Sequence, residues 1–228
     1  MRILSAIAVL FLAAPLHGQS ENEDSRQVAC RFLSFGGNAA SPKSVQTKPL
    51  KGEGVNCPLP TSQLSPKITC AAYSNTIRFV TDGGKPAGVA KIPSSATAAI
   101  LLFVPAPADK PDGAPWRVLV IEDSAKNFPD GGAFVANFHS GNIRFVLGEH
   151  RGALRPGGLK GYARPSERDT FNMAPVVFQF QQEDKWRIGN ESALRFLPGM
   201  RYLILAYTDP TSKRPRIRTI QDLLPAAS

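Results

Sequence analysis

The side chains of this sequence best suited to chemistry are three cysteines, two histidines beyond the first residues, a scatter of carboxylates and a basic run near the C-terminus. Cys30, Cys57 and Cys70 lie in the first third of the chain. Cys57 and Cys70 bracket a segment holding Pro58, Pro60 and Pro66, which has little regular structure of its own, so a Cys57–Cys70 disulfide is expected, with Cys30–Cys70 as the next pairing. In the loop-entropy picture such a link stabilises by about 3 kcal/mol. The cysteine spacing does not match a zinc ligand set. A thiol nucleophile needs a nearby imidazole, and His139 and His150 are far from every cysteine in sequence.

His139, Glu149 and His150 are the grouping nearest to a metal site, yet adjacent residues of a strand point to opposite faces, so Glu149 and His150 read as turn residues. A blue-copper site needs two His and a Cys in close spacing, and that spacing is missing. We therefore assign no catalytic residue, no metal site and no cofactor. The carboxylates Glu122, Asp123, Asp130, Glu149, Glu167, Asp169, Glu183 and Asp184 would have to supply the pair that glycoside hydrolysis requires. Most of them fall at turns and read as solvated. The chain has no G-x-S-x-G, no phosphate-binding loop and no H-E-x-x-H.

Charge is the stronger lead. The chain has 27 Lys and Arg against 18 Asp and Glu. Lys213, Arg214, Arg216 and Arg218 form an anion-binding stripe in which Arg216 and Arg218 share one strand face and Ile217 takes the other. Such a stripe attracts an anionic surface, a glycan or another envelope protein, and salt weakens the attraction. No aromatic-interleaved basic motif points to nucleic acid. Trp116, Trp186, Tyr162 and Tyr202 are candidate sugar-stacking platforms for the alternative reading, a polysaccharide-active hydrolase or glycan-binding module.

The elements that must position these groups are short strands. Met1 and Arg2 precede an apolar stretch from Ile3 to Pro15 and a small, polar exit at Gly18 to Ser20, the pattern of a secretory signal peptide over residues 1–18. Export places the mature chain in the periplasm or outside a bacterial cell, and residues 19–26 are expected to be a flexible N-terminus. No later apolar run approaches the roughly 18 to 20 residues of a membrane-spanning helix. Val28–Phe35, Ile68–Val80, Trp116–Glu122, Ala133–Phe138, Asn142–Leu147 and Met200–Thr208 carry strand patterns bounded by Gly, Pro and Asp turns. Residues 38–65 read as a long loop that needs a pin, and His139-Ser140-Gly141 reads as a hairpin turn. Pro175 acts as a breaker before Val177, and Gly189-Asn190 as a break between two short strands.

Many short strands with no amphipathic helix favour an all-β, antiparallel sandwich. The stretch Phe134–Gly158 resembles strand pairs of bacterial envelope proteins with Ig-like or cupredoxin-like folds. The sandwich is either continuous over 27–222 or divided into two related modules, 27–110 and 115–222. The division would rest on an echo of Ile77-Arg78-Phe79-Val80 in Ile143-Arg144-Phe145-Val146, with Ala193–Leu197 as a looser relative, while the same alternation of Arg with apolar residues also fits a generic edge or surface strand. The resulting expectation is a non-catalytic exported binding, adaptor or structural component of the cell envelope.

Overall fold

The structure is a computed structural model that describes residues 25–35, 42–106, 114–209 and 211–224. The expected signal peptide lies outside these residues. Among the described residues there are sixteen strands and no helix, and thus no helix long and apolar enough to cross a membrane.

The first eight strands are β1 (Ser25–Ser34), β2 (Ser44–Thr47), β3 (Asn56–Pro58), β4 (Ile68–Tyr73), β5 (Thr76–Val80), β6 (Pro86–Lys91), β7 (Ala98–Pro105) and β8 (Trp116–Glu122). They form one sheet in the order β3-β2-β5-β4-β1-β7-β8, with β6 also paired to β5. β4 and β5, expected as one long stretch, are separated by a two-residue turn in which Ser74 and Asn75 both take positive φ, 47° and 61°, the conformation that matches the twist of a tight hairpin. Only Tyr73 and Thr76 pair across that turn. There the sheet folds over, and Val45, Cys57, Ile77, Phe79 and Ala90 pack onto Cys30, Phe32, Cys70, Leu101 and Phe103 in a shared core.

The expected disulfide is not formed. Cys30, Cys57 and Cys70 are free and buried, and they come no closer than 4.1 Å, about twice the length of a sulfur–sulfur bond. Residues 42–65 are pinned instead by apolar packing and by the main chain. Val45, Cys57 and Leu59 enter the core, Leu59 N–H donates to Lys43 C=O at 2.7 Å, and Ser34 N–H donates to Pro60 C=O at 2.8 Å. The expected loop thus contains the β2–β3 hairpin, whose alternation is too short to read from sequence.

The remaining strands are β9 (Ala133–Asn137), β10 (Ile143–Leu147), β11 (His150–Leu154), β12 (Leu159–Tyr162), β13 (Met173–Gln182), β14 (Lys185–Arg195), β15 (Met200–Thr208) and β16 (Pro215–Leu223). They form two four-stranded sheets, β11-β10-β13-β14 and β12-β9-β15-β16, whose inner faces share a core that includes Phe145, Phe178, Phe180, Phe196, Tyr202 and Ile204. β9 and β10 are not the expected hairpin, because they lie in different sheets. The crossing at 138–142 is held by buried Asn137, whose Nδ2 donates to the carbonyls of Gly141 (2.9 Å) and Leu154 (3.1 Å) and whose Oδ1 accepts from His139 N–H. Pro175 does not break β13, since it lies one residue past the end of the β10 pairing, where no donor is needed. The expected break at Gly189 is a bulge within one continuous strand, opposite the register shift between Phe178 and Gln179.

A purely antiparallel sandwich is corrected by two parallel pairs, β1 with β7 and β9 with β15. These strands are apolar on both faces. In β7, for example, Ala99, Leu101 and Phe103 enter one core while Ile100, Leu102 and Val104 enter another. That second core lies between the outer face of β1-β7-β8 and the outer face of β9-β15-β16, joining Leu33, Ile100 and Leu102 to Phe134, Leu203 and Leu205. Continuous apolar runs are what double-sided burial demands.

The pairing of β1–β8 recurs in β9–β16. β4-β1-β7-β8 and β12-β9-β15-β16 have the same order and the same senses, as do β3-β2-β5-β6 and β11-β10-β13-β14. The Ile-Arg-Phe-Val echo does not trace this recurrence, because it falls on β5 and β10, which occupy different places in the two patterns.

Candidate functional site

Of the most heavily engaged charged groups, only Asp123 stood among the candidate residues of the sequence. Arg31 on β1, Arg201 on β15, Asp222 on β16 and Asp123 just past β8 form a closed quartet. Arg31 reaches Asp222 at 2.5 and 2.9 Å and Asp123 at 3.0 Å. Arg201 donates to Asp222 at 2.6 and 3.1 Å, to Asp123 at 2.9 Å and to the carbonyl of Phe128 at 2.9 Å, with its guanidinium 4.0 Å from the centre of the Phe128 ring. Burial opposes the charge on Asp222, but the hydrogen bonds and charges of Arg31 and Arg201 outweigh it and hold its pKa below the ordinary value. The quartet balances two cations against two anions and ties β1 to β15 and β16, a structural use of charge. Its signal in the sequence was an arginine set directly between apolar residues, Cys30 and Phe32 in β1 and Met200 and Tyr202 in β15.

The candidate chemical residues do not converge. His139 is buried, with Nδ1 2.8 Å from Thr208 Oγ1 and its ring edge-on to Phe180, and burial lowers its pKa. His150 and Glu149 sit at the β10–β11 turn, where His150 Nε2 meets the Ala163 carbonyl at 3.1 Å. Partial burial works against ionisation of Glu149. Hydrogen bonds from Ser166 N–H and Oγ and from Glu167 N–H prevail and bring its pKa to about 2. Asp130 accepts from Gly199 N–H and Asp169 from the N–H groups of Phe171 and Met173, so these acids hold turns. No group of three His, Cys, Asp or Glu among the described residues is placed to hold a metal ion. The neighbouring Cys70, together with burial, pushes the thiols of Cys30 and Cys57 up, leaving them protonated and inert in the core.

Of the candidate stacking rings, Trp116, Tyr162 and Tyr202 are buried. Trp186 is half-buried, with the Arg144 guanidinium 4.6 Å from its ring centre.

The basic stripe divides. Arg216 and Arg218 share a face, opposite Tyr207 and Leu205, but Arg218 turns back to the first half of the chain, donating to the Thr61 carbonyl and lying 5.8 Å from the Phe35 ring centre. Lys213 belongs to the β15–β16 turn, which Asp209 caps by accepting from Thr211 and Ser212 N–H. Those hydrogen bonds first, and Arg216 after them, lower the Asp209 pKa. Arg214 and Arg216 instead meet Arg187 of β14 across a groove of about 330 Å³ that Phe180, Gln182, Ile188, Gly189 and Pro215 complete. No carboxylate among the described residues lines this groove. Arg187 was not anticipated, because the approach of β14 to β16 is a tertiary contact. A Cβ at Gly189 would collide with the Phe180 ring, so glycine there keeps the groove wall close-packed. The arrangement can bind an anion through charge-assisted hydrogen bonds. The chain matches no protein-family model and no curated protein.

Proposed function

We propose that the chain is a non-catalytic exported β-sandwich protein that serves as a binding, adaptor or structural component of the bacterial cell envelope. Its partner is another envelope protein or an anionic surface or glycan. The observation that carries this reading is the convergence of Arg187 of β14, Arg216 of β16 and Arg214 just before β16 on one groove that no carboxylate among the described residues lines. Like charges gathered in this way repel one another and favour an incoming anion. The buried quartet and the capped Glu149, Asp130 and Asp169 support a structural role for the other charged groups. The recurring strand pairing supports two related modules, divided after β8 rather than between residues 110 and 115, because β8 pairs with β7. The apolar stretch from Ile3 to Pro15 supports export.

The test is retention of the mature chain, starting at residue 19, on immobilised polyuronate and immobilised polyglutamate. Retention on at least one matrix is expected at low salt, with loss at high salt as the field is screened and loss in the Arg187→Gln/Arg214→Gln/Arg216→Gln variant. A chain that passes both matrices unretained, or a triple variant retained like the parent, removes the binding reading. Recovery of the full-length product, leader intact, in the cytoplasm of an expressing bacterium removes the export reading.

A further inference from the structure

We infer that the edge of β14 is a strand-addition site for an extended acidic polypeptide whose side chains alternate between carboxylates and apolar groups. The inference rests on the arginine groove being a binding site and specifies what fills it. Among the described residues β14 ends its sheet with no strand beyond it, and eight of its eleven residues are exposed. An antiparallel ladder engages only alternate residues of such a strand, so the others turn N–H and C=O outward. A polypeptide backbone repeats donors and acceptors at the matching interval, whereas a glycan does not.

The two faces of β14 dictate the side chains. Arg187 pairs with Phe180 and shares its inward face, which places its guanidinium in the groove with Arg214 and Arg216. Trp186 and Ile188 pair with Gln181 and Gln179 on the opposite face, where Ile188 is 60% exposed. A strand added beside residues 185–188 puts every second side chain against the three guanidinia and the rest beside Trp186 and Ile188. The bulge at Gly189 ends the regular edge. Glu183 and Asp184 in the preceding turn balance Lys185 and Arg187 in number, and Arg214 and Arg216 across the groove leave this face with an excess of positive charge, which repels a second copy of itself and favours an acidic partner.

The probe is a ten-residue peptide alternating glutamate and valine, added to the mature chain in a fluorescence-anisotropy titration. It is compared with two versions, N-methylated at every glutamate or at every valine, and with a polyuronate oligosaccharide. Because one edge of the added strand faces β14, one methylation pattern is expected to weaken binding about tenfold or more while the other binds within a few-fold of the parent. The Arg187→Gln/Arg214→Gln/Arg216→Gln variant, with unchanged circular dichroism and melting, is expected to lose the peptide by a similar factor. Equal binding of all three peptides overturns strand addition. Binding of polyuronate without the peptide also overturns it while leaving the anion-binding reading in place, and failure of both probes overturns both.

Discussion

Arg31, Arg201, Asp123 and Asp222 show how the energetics of one residue depend on its neighbours. A buried ion pair adds little net stability over an apolar pair, but removing one partner strands the remaining charge and costs about 3–5 kcal/mol. Asp222→Asn is therefore expected to lower unfolding stability by about that amount at neutral pH, measured by urea denaturation, and a loss too small to resolve would show that the quartet is solvated in solution. The sign of the pH dependence follows from the lowered Asp222 pKa. A folded pKa below the unfolded value contributes stability that is fully present above the unfolded pKa, about 4, and is lost as pH falls through the folded value. The parent should thus lose stability below about pH 4 more steeply than Asp222→Asn, which lacks that contribution at every pH. The quartet could not be paired from sequence, since Arg31 and Asp222 lie 191 residues apart. The arginines themselves are visible as charges set directly between apolar neighbours.

At the scale of the element, β14 is the most informative strand. Sequence reading divides it at Gly189-Asn190, because glycine and asparagine commonly mark turns. The chain instead continues through a bulge, and the absent Cβ lets the backbone approach Phe180. Gly189→Ala is expected to destabilise the protein by about 1–3 kcal/mol through overpacking against a buried ring, with the chemical shifts of Phe180 displaced. Unchanged melting and unchanged Phe180 resonances would mean that the bulge relaxes freely. Other strands were legible as they stand: Trp116–Glu122 and Met200–Thr208 have the expected bounds, since their apolar runs are flanked by Pro, Gly or Asp. The Ser74–Asn75 turn escaped notice because neither residue is glycine, although asparagine tolerates positive φ.

Across the whole molecule, three cores lie in series, and the middle one joins β1-β7-β8 to β9-β15-β16. Its composition, with Leu33, Ile100, Leu102, Phe128 and Leu203 fully buried, together with the quartet at its edge, couples the two halves. A single calorimetric unfolding transition is expected for residues 19–228, and a fragment ending at Ser124 should self-associate, because it uncovers that apolar face and leaves the Arg31–Asp123 pair without Arg201 and Asp222. Two well-separated transitions, or a monomeric, stably folded fragment, would show that the halves are independent.

The all-β class, the strand-rich organisation and the basic C-terminal segment followed from sequence alone, because side-chain period, turn residues and net charge are local properties of the chain. The free thiols, the separation of β9 from β10, the parallel pairs and the arginine groove were decided by tertiary structure. The alternation of a strand records which of its faces are buried but not which strand lies beside it, and that choice is made by packing between segments far apart in the chain.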